Sequence, residues 1–397
     1  MEKPKILILV MSANNDFFQA QMEDVKKTWI DLLYIEKTKK LIHDYCDEIE
    51  WFYYDNDEDS ALVISQQEDG SLYYQKTPDV ILDQNDPHHL ITTYYSDRLT
   101  WHKTYSVFKY LYKENEKIYD KYDYVIRTNT STYVNLPALV YTLYRDFNTP
   151  VINGVKNTEL IYGVELVSSI LIKTPKTFDV YARGNLIVLS KQTIKNTILK
   201  YDQLLQGTTG GGESDCGLID DVMIGNIINS VNNNFDENSF EYLKYYRALP
   251  FNWFKSVEHG YNIRHKSSSK GLESNFKTDS ENYQYNIGIQ IKSYINRAVE
   301  SEHYHEFHQK MLDNVFSNYS DEELQKIYDK INDYSKDPSV FVLGNLPHFP
   351  LSTVSKIIKN KSSLDFWTNY IISSLPNDVW LFDAKQKIVQ NYIEKHS

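Results

Sequence analysis

Two adjacent carboxylates, Asp220 and Asp221, head the apolar run LIDDVMIGNII, just after the glycine-rich stretch TTGGGESDCG from Thr208 to Gly217. A carboxylate beside a pliable loop can take a proton from an attacking hydroxyl, which makes Asp221 the first candidate for a general base and Asp220 the second. The plainer reading is a helix N-terminus, where acidic side chains cap free amides and oppose the helix dipole. Earlier in the chain, YDYVIRTNTSTYVN, from Tyr122 to Asn135, places Arg127, Thr128, Asn129, Thr130 and Ser131 directly after the bulky Tyr124, Val125 and Ile126. Hydroxyls and an amide at the carboxyl end of a strand are placed to hydrogen-bond a ligand, because open α/β sheets bind ligands there. A strand followed by a Ser/Thr turn is the bland alternative. NIRHKSSSK adds Arg264, His265 and Lys266, which suit a departing phosphate or, equally, form a solvated basic loop.

These groups need elements to hold them. KILILVMSANN opens as a continuous apolar run closed by a polar cluster, the pattern of a central parallel strand feeding a loop, here beginning at Ser12 and Ala13. The following helix begins near Asp16 and carries Val25, Trp29 and Leu32 inward. IEWFYYDND predicts a second strand, Ser60 to Pro87 an irregular excursion, and Leu99, Tyr105, Phe108, Leu111 and Tyr112 a helix over Arg98 to Lys113 that carries Lys103. This order of strand, helix and strand indicates an α/β fold. VING, GVELVSSILI and NLIVLS extend the sheet. From about Tyr285 the pattern turns helical, as in SDEELQKIYDKINDY with a Ser320 cap and Glu323 three residues on. The expected organisation is a site-bearing domain over 1–284 and a helical appendage over 285–397.

Composition narrows the classes. The chain of 397 residues carries a formal net charge of −12, which argues against a nucleic-acid partner or an anionic membrane. The 33 tyrosines point to many half-buried amphipathic positions. The first apolar run is too short for a membrane span, and only Cys46 and Cys216 are present, which fits a reducing, cytoplasmic compartment. Asn129-Thr130-Ser131 is also a glycosylation sequon, and a glycan there would block the candidate site.

Five motifs, in order from Lys5 to Lys266, resemble those of the inverting β-1,3-galactosyltransferase and Fringe-like glycosyltransferases. ILILVMSANNDFFQAQMEDVKKTW is similar to that family's first strand and helix with its closing Thr28-Trp29, and RLTWHKTYSVFKYL to the helix bearing its lysine, here Lys103. Tyr122 to Asn135 falls on the strand with the DxD motif, YARGNLIVLS on the glycine-containing strand, and IDDVMIG on the acidic motif. The resemblance implies a Rossmann-like, nucleotide-sugar-binding fold of the glycosyltransferase A type with a central mixed sheet. It further implies donor contacts from Ser12, Ala13, Lys103, Arg127, Thr128, Asn129, Thr130, Ser131, Arg264, His265 and Lys266, and acceptor contacts from Arg183, Gly184 and Asn185.

One departure bears on the chemistry. The family's aspartates align with Asn129, Thr130 and Ser131, which carry no charge, and neutral oxygens hold Mn²⁺ or Mg²⁺ much less tightly than carboxylates do. Three outcomes are open. Cationic side chains replace the metal, the favoured expectation; a weakly bound Mn²⁺ or Mg²⁺ is gripped mainly by the donor diphosphate; or catalysis is lost. The first predicts an inverting hexosyltransferase acting on a uridine diphosphate sugar and a glycan acceptor. The last predicts a silent relative that binds a nucleotide-sugar or glycan. A dinucleotide-dependent oxidoreductase is disfavoured, since MSANN stands where G-x-G-x-x-G would be.

In the C-terminal region, HYHEFH invites a zinc reading of His303, His305 and His308, but without nearby cysteines a solvated helix face is expected. DFWTNYIISSL offers an apolar face to the rest of the chain or to a second subunit, a route to a homo-oligomer.

Overall fold

The computed structural model describes residues 1–56, 64–66, 72–74, 80–92, 100–114, 121–164, 166–169, 179–182, 184–199, 220–231, 245–253, 283–291, 299–336 and 342–343. In chain order the elements that matter are β1 (Lys5–Met11), α1 (Asp16–Lys27), α2 (Glu36–Tyr45), β2 (Glu48–Asn56), β3 (Val80–Leu82), β4 (His89–Thr92) and α3 (Thr100–Lys109). There follow β5 (Tyr124–Asn129), β6 (Thr132–Val134), α4 (Leu136–Phe147), β7 (Ile161–Val164), β8 (Leu166–Ser169), β9 (Asp179–Ala182), β10 (Leu186–Ser190) and α5 (Asp220–Val231). The last are β11 (Tyr246–Leu249), β12 (Phe251–Trp253), β13 (Gly288–Gln290), α6 (Glu300–Asn314), α7 (Asp321–Lys336) and β14 (Val342–Leu343).

An eight-stranded mixed sheet runs β11-β7-β10-β5-β1-β2-β4-β3. β1 pairs in parallel with both β2 and β5, whereas β10 lies antiparallel to β5, with Leu186 opposite Thr128. The α/β class with a central mixed sheet expected from sequence is the class observed. The chain moves outward from β1 through β2 to β4 and then returns to the other side of β1 as β5. Open α/β sheets bind ligands at such a reversal, here beyond the carboxyl ends of β1 and β5, where Met11 and Asn129 are register partners.

The strands at this point are apolar on both faces. Ile6, Ile8 and Val10 of β1 face one core with α1, α4, α6 and α7, while Leu7 and Leu9 face a second with Trp101, Tyr105 and Phe108 of α3 and Ile224, Ile227 and Ile228 of α5. The period-two alternation thus splits one strand between two helical layers. Two three-stranded sheets, β12-β13-β6 and β9-β8-β14, stand beside it among the described residues.

Several local expectations shift. α1 ends at Lys27, so Trp29 and Leu32 are buried beyond the helix rather than within it. The excursion from Ser60 to Pro87 contains a two-stranded pairing of Ile64–Gln66 with Leu72–Tyr74. Ser320 caps α7 as expected, its hydroxyl accepting from the Glu323 amide at 3.3 Å. The stretch DFWTNYIISSL lies outside the described residues. Among the described residues, no helix is long and apolar enough to cross a membrane.

The helices expected as an appendage share the central core. Tyr304, Phe307 and Met311 of α6 and Leu324, Ile327 and Ile331 of α7 are buried with Ile6, Ile8 and Val10. Polar contacts reinforce this: Arg247 of β11 pairs with Asp146 of α4 at 2.5 Å and donates to Asn332 of α7 at 2.6 Å. Tyr328 of α7 donates to the same Asp146 at 2.8 Å. Burial raises the Asp146 carboxyl above its usual range, and Arg247 opposes that rise. The histidines of HYHEFH diverge. His308 is buried against Tyr133, which bonds its Nδ1 at 2.8 Å, so the expected solvated face holds only in part. His305 turns instead to Asp24 at 3.2 Å. Among the described residues no group of three His, Cys, Asp or Glu is placed to hold a metal.

Candidate functional site

At the carboxyl end of β5 the chain leaves the ladder at Asn129 and re-enters one at Thr132, and Asn129 builds the turn between. Its Oδ1 accepts from the Ser131 amide at 3.1 Å, the Ser131 hydroxyl at 2.9 Å and the Thr132 hydroxyl at 2.9 Å. This is an Asx turn, the backbone-mimicking role for which asparagine is suited. Asn129 Nδ2 donates to the Gly184 carbonyl at 3.2 Å, and the Thr128 hydroxyl donates to the Asn185 carbonyl at 2.6 Å. Gly184 and Asn185 therefore meet the strand end, while Arg183 lies outside the described residues.

Arg127 precedes this turn and points to the α3 and α5 side of the sheet. It is 1% exposed and forms an ion pair with Asp220, the first residue of α5, which is itself 2% exposed. The guanidinium also donates to the Gly184 carbonyl and to Met11 Sδ. Burial works against its charge, but Asp220, with lesser help from Tyr54 and Asp221, more than offsets this, so its pKa rises. Thr104 of α3 donates to Asp220 Oδ2 at 3.0 Å and bonds the Tyr54 hydroxyl at 2.8 Å. The Asp220 amide donates to the Thr100 hydroxyl at 3.1 Å, so α3 satisfies the first free amide of α5.

Three of the residues expected at the site lie inside the protein. Asp220, expected as the second candidate base, is the counter-ion of a buried arginine and is itself buried. Arg127, expected to face a donor, is held inside the protein. Lys103, also 1% exposed, donates its ammonium to the Ser12 carbonyl at 2.8 Å and so ties the end of β1 to α3. Ser12 and Ala13, directly after β1, are buried. Arg264, His265 and Lys266 lie outside the described residues.

Asp221 differs from its neighbour. It is half-buried, and its Oδ2 accepts the Gly184 amide at 2.8 Å. One residue therefore orders several groups: the Gly184 amide fixes Asp221, and the Gly184 carbonyl receives Arg127 and Asn129. A side chain there would force Arg127 to move, since a Cβ on Gly184 would stand 2.7 Å from Arg127 Nη1. The sequence marked this glycine only through its motif. Its role depends on Arg127 and Asp221 converging on it.

The neutral triplet does not fit a hard divalent cation. Asn129 Oδ1 already accepts three hydrogen bonds. Thr130 is 2% exposed and donates its hydroxyl inward to Gln21 Oε1 at 2.9 Å. Ser131 Oγ donates to Asn129 and accepts from Gln290 Nε2 at 3.0 Å. None of these oxygens is anionic, and Mg²⁺ or Mn²⁺ requires several well-placed oxygen ligands.

Gln21, Gln290, Glu300 and Tyr304 are neighbours of the turn that the sequence did not single out. Gln290 and Tyr304 lie over 150 positions beyond it, and no local pattern links them to Thr130 or Ser131.

No protein-family model and no curated protein matches this chain. Among solved structures it is similar to one titled as a glycosyltransferase involved in the glycosylation of the major capsid of PBCV-1, at 12% identity over 76% of this chain and 100% of that one, with a TM-score of 0.30.

Proposed function

We propose that the protein is a glycosyltransferase that moves a sugar from a nucleotide-sugar, of the uridine diphosphate class, to a hydroxyl of a glycan or protein-linked glycan. The observation that carries this reading is the half-buried Asp221 carboxylate, fixed by the Gly184 amide beside the carboxyl end of β5. In the reaction, Asp221 takes the proton of the acceptor hydroxyl as that oxygen attacks the anomeric carbon. The bond from that carbon to the diphosphate oxygen breaks on the opposite face, and the nucleoside diphosphate leaves with both bonding electrons. The configuration inverts in this single displacement. Asn129 and Ser131 border the donor side, with Gly184 and Asn185 towards the acceptor. The charge of the leaving group falls to cationic side chains, for which Arg264 and Lys266 are proposed, so no metal step is invoked.

The inward placement of Lys103 and Arg127 favours a second reading, a module that binds a nucleotide-sugar or glycan without turning it over. Incubation with a panel of nucleotide-sugars, with and without a chelator, separates the two by release of nucleoside diphosphate. Chelator-insensitive release, lowered about 10²- to 10⁴-fold by Asp221→Asn, supports the enzyme. Binding without release for every sugar supports the module, and strict manganese dependence overturns the metal-free mechanism.

A further inference from the structure

The 129–132 turn is irregular backbone between two strands, so side chains from elsewhere must satisfy its polar groups. Much of this comes from beyond residue 285. Tyr304 of α6, fully buried, donates its hydroxyl to the Thr130 carbonyl at 2.5 Å. The Thr130 hydroxyl donates to Gln21 Oε1 of α1 at 2.9 Å, and the Gln21 amide donates in turn to Glu300 Oε2 at the head of α6. Gln21 and Glu300 are 3% and 1% exposed. On the other side, the Ile291 amide donates to the Ser131 carbonyl at 2.8 Å and Gln290 Nε2 to the Ser131 hydroxyl.

We propose that Tyr304, Gln21 and Glu300 form a brace that positions the Asn129–Thr132 turn for its ligand, so that α6 is part of the binding site. Thr130 is the anchor of the brace, with both its carbonyl and its hydroxyl bound to it. Thr130 cannot shift without leaving buried polar groups unpaired, which is costly in a water-excluded setting. Glu300 lies in the first turn of α6, where the helix dipole favours a carboxylate. Because Asn129 and Ser131 flank Thr130, the brace sets where they stand relative to Asp221.

This inference deepens the proposed reading of the site and rests on it for the identity of the ligand, but its geometry is testable separately. Tyr304→Phe removes only a hydroxyl, and Gln21→Met removes the relay while keeping volume. Ser301→Ala serves as control, since Ser301 bonds Asp24 at 2.8 Å in the same α1 and α6 interface without reaching the turn. Hydrogen exchange on the full chain, read by mass spectrometry over 124–135, is expected to speed up about fivefold or more in the two brace variants and not in the control. Uridine diphosphate glucose, galactose and N-acetylglucosamine are the binding probes. For whichever binds, the brace variants are expected to weaken affinity and raise KM about fivefold with kcat little changed. Unchanged exchange at the turn, or equal acceleration by Ser301→Ala, overturns the brace. If none of the probes binds the wild-type chain, the donor reading fails, and the exchange result alone decides the brace.

Discussion

Arg127 and Asp220 form an ion pair closed off from water, their side chains 1% and 3% exposed. Burial of two charges is costly, and only close pairing with further hydrogen bonds compensates. Here Thr104 donates to Asp220, while Gly184 and Met11 accept from the two terminal guanidinium nitrogens. Arg127→Met or Asp220→Asn alone is expected to lower stability by ~3 to 5 kcal/mol, because each leaves a charge uncompensated. The double variant Arg127→Met with Asp220→Asn should recover most of that loss. Urea denaturation of the four proteins gives the coupling, and additive losses would contradict it.

Asp221 predicts the opposite pattern. Asp221→Asn keeps an oxygen for the Gly184 amide, so its stability should stay within about 1 kcal/mol of wild type. Donor turnover should nevertheless fall by about 10² or more. Comparing Asp220→Asn and Asp221→Asn in one assay therefore separates a structural from a reacting carboxylate.

Gly184→Ala tests the peptide on which Arg127, Asn129 and Asp221 converge. The added methyl would meet Arg127 Nη1 at 2.7 Å, and Arg127 cannot yield without disturbing Asp220. A loss of about 1 to 3 kcal/mol is expected, with donor turnover lowered less than in Asp221→Asn, which removes the base itself. Wild-type stability in this variant would show that Arg127 has room to move.

Two histidines make stability depend on pH with opposite signs. Burial, aided by His305, pushes His308 down to about 4 from 6.5, so the unfolded chain binds this proton more readily. Its contribution is present above about pH 6.5 and is lost as the pH falls through about 4, amounting to ~3 kcal/mol at most. His89, bonded to Asp55 at 2.8 Å and Asp83 at 3.1 Å, has its pKa raised by those carboxylates in spite of the opposing effect of burial. Its contribution is complete below pH 6.5 and is lost as the pH rises through the folded-state value. Urea midpoints from pH 4 to 8 should lose their acid-side slope in His308→Phe and their neutral-side slope in His89→Gln. An unchanged profile in both variants would refute the assignment.

The sequence alone determined the local and periodic features. Continuous apolar runs marked β1 and β5 as central strands, Ser320 marked the start of α7, and TNTST marked a strand end rich in neutral hydrogen-bonding groups. Each of these depends on neighbours a few residues away, where side-chain period and capping act. Only the tertiary structure decided which charges stay inside. Arg127, Lys103 and Asp220 read as site residues because their types suit anion binding and proton transfer. Burial and pairing depend on α3, β10 and α5 meeting at one strand end, which no local spacing records. The same holds for the turn at Asn129. Its composition was legible from the start, but its partners Gln21, Gln290, Glu300 and Tyr304 come together only once α6 packs against α1 and β13 pairs with β6.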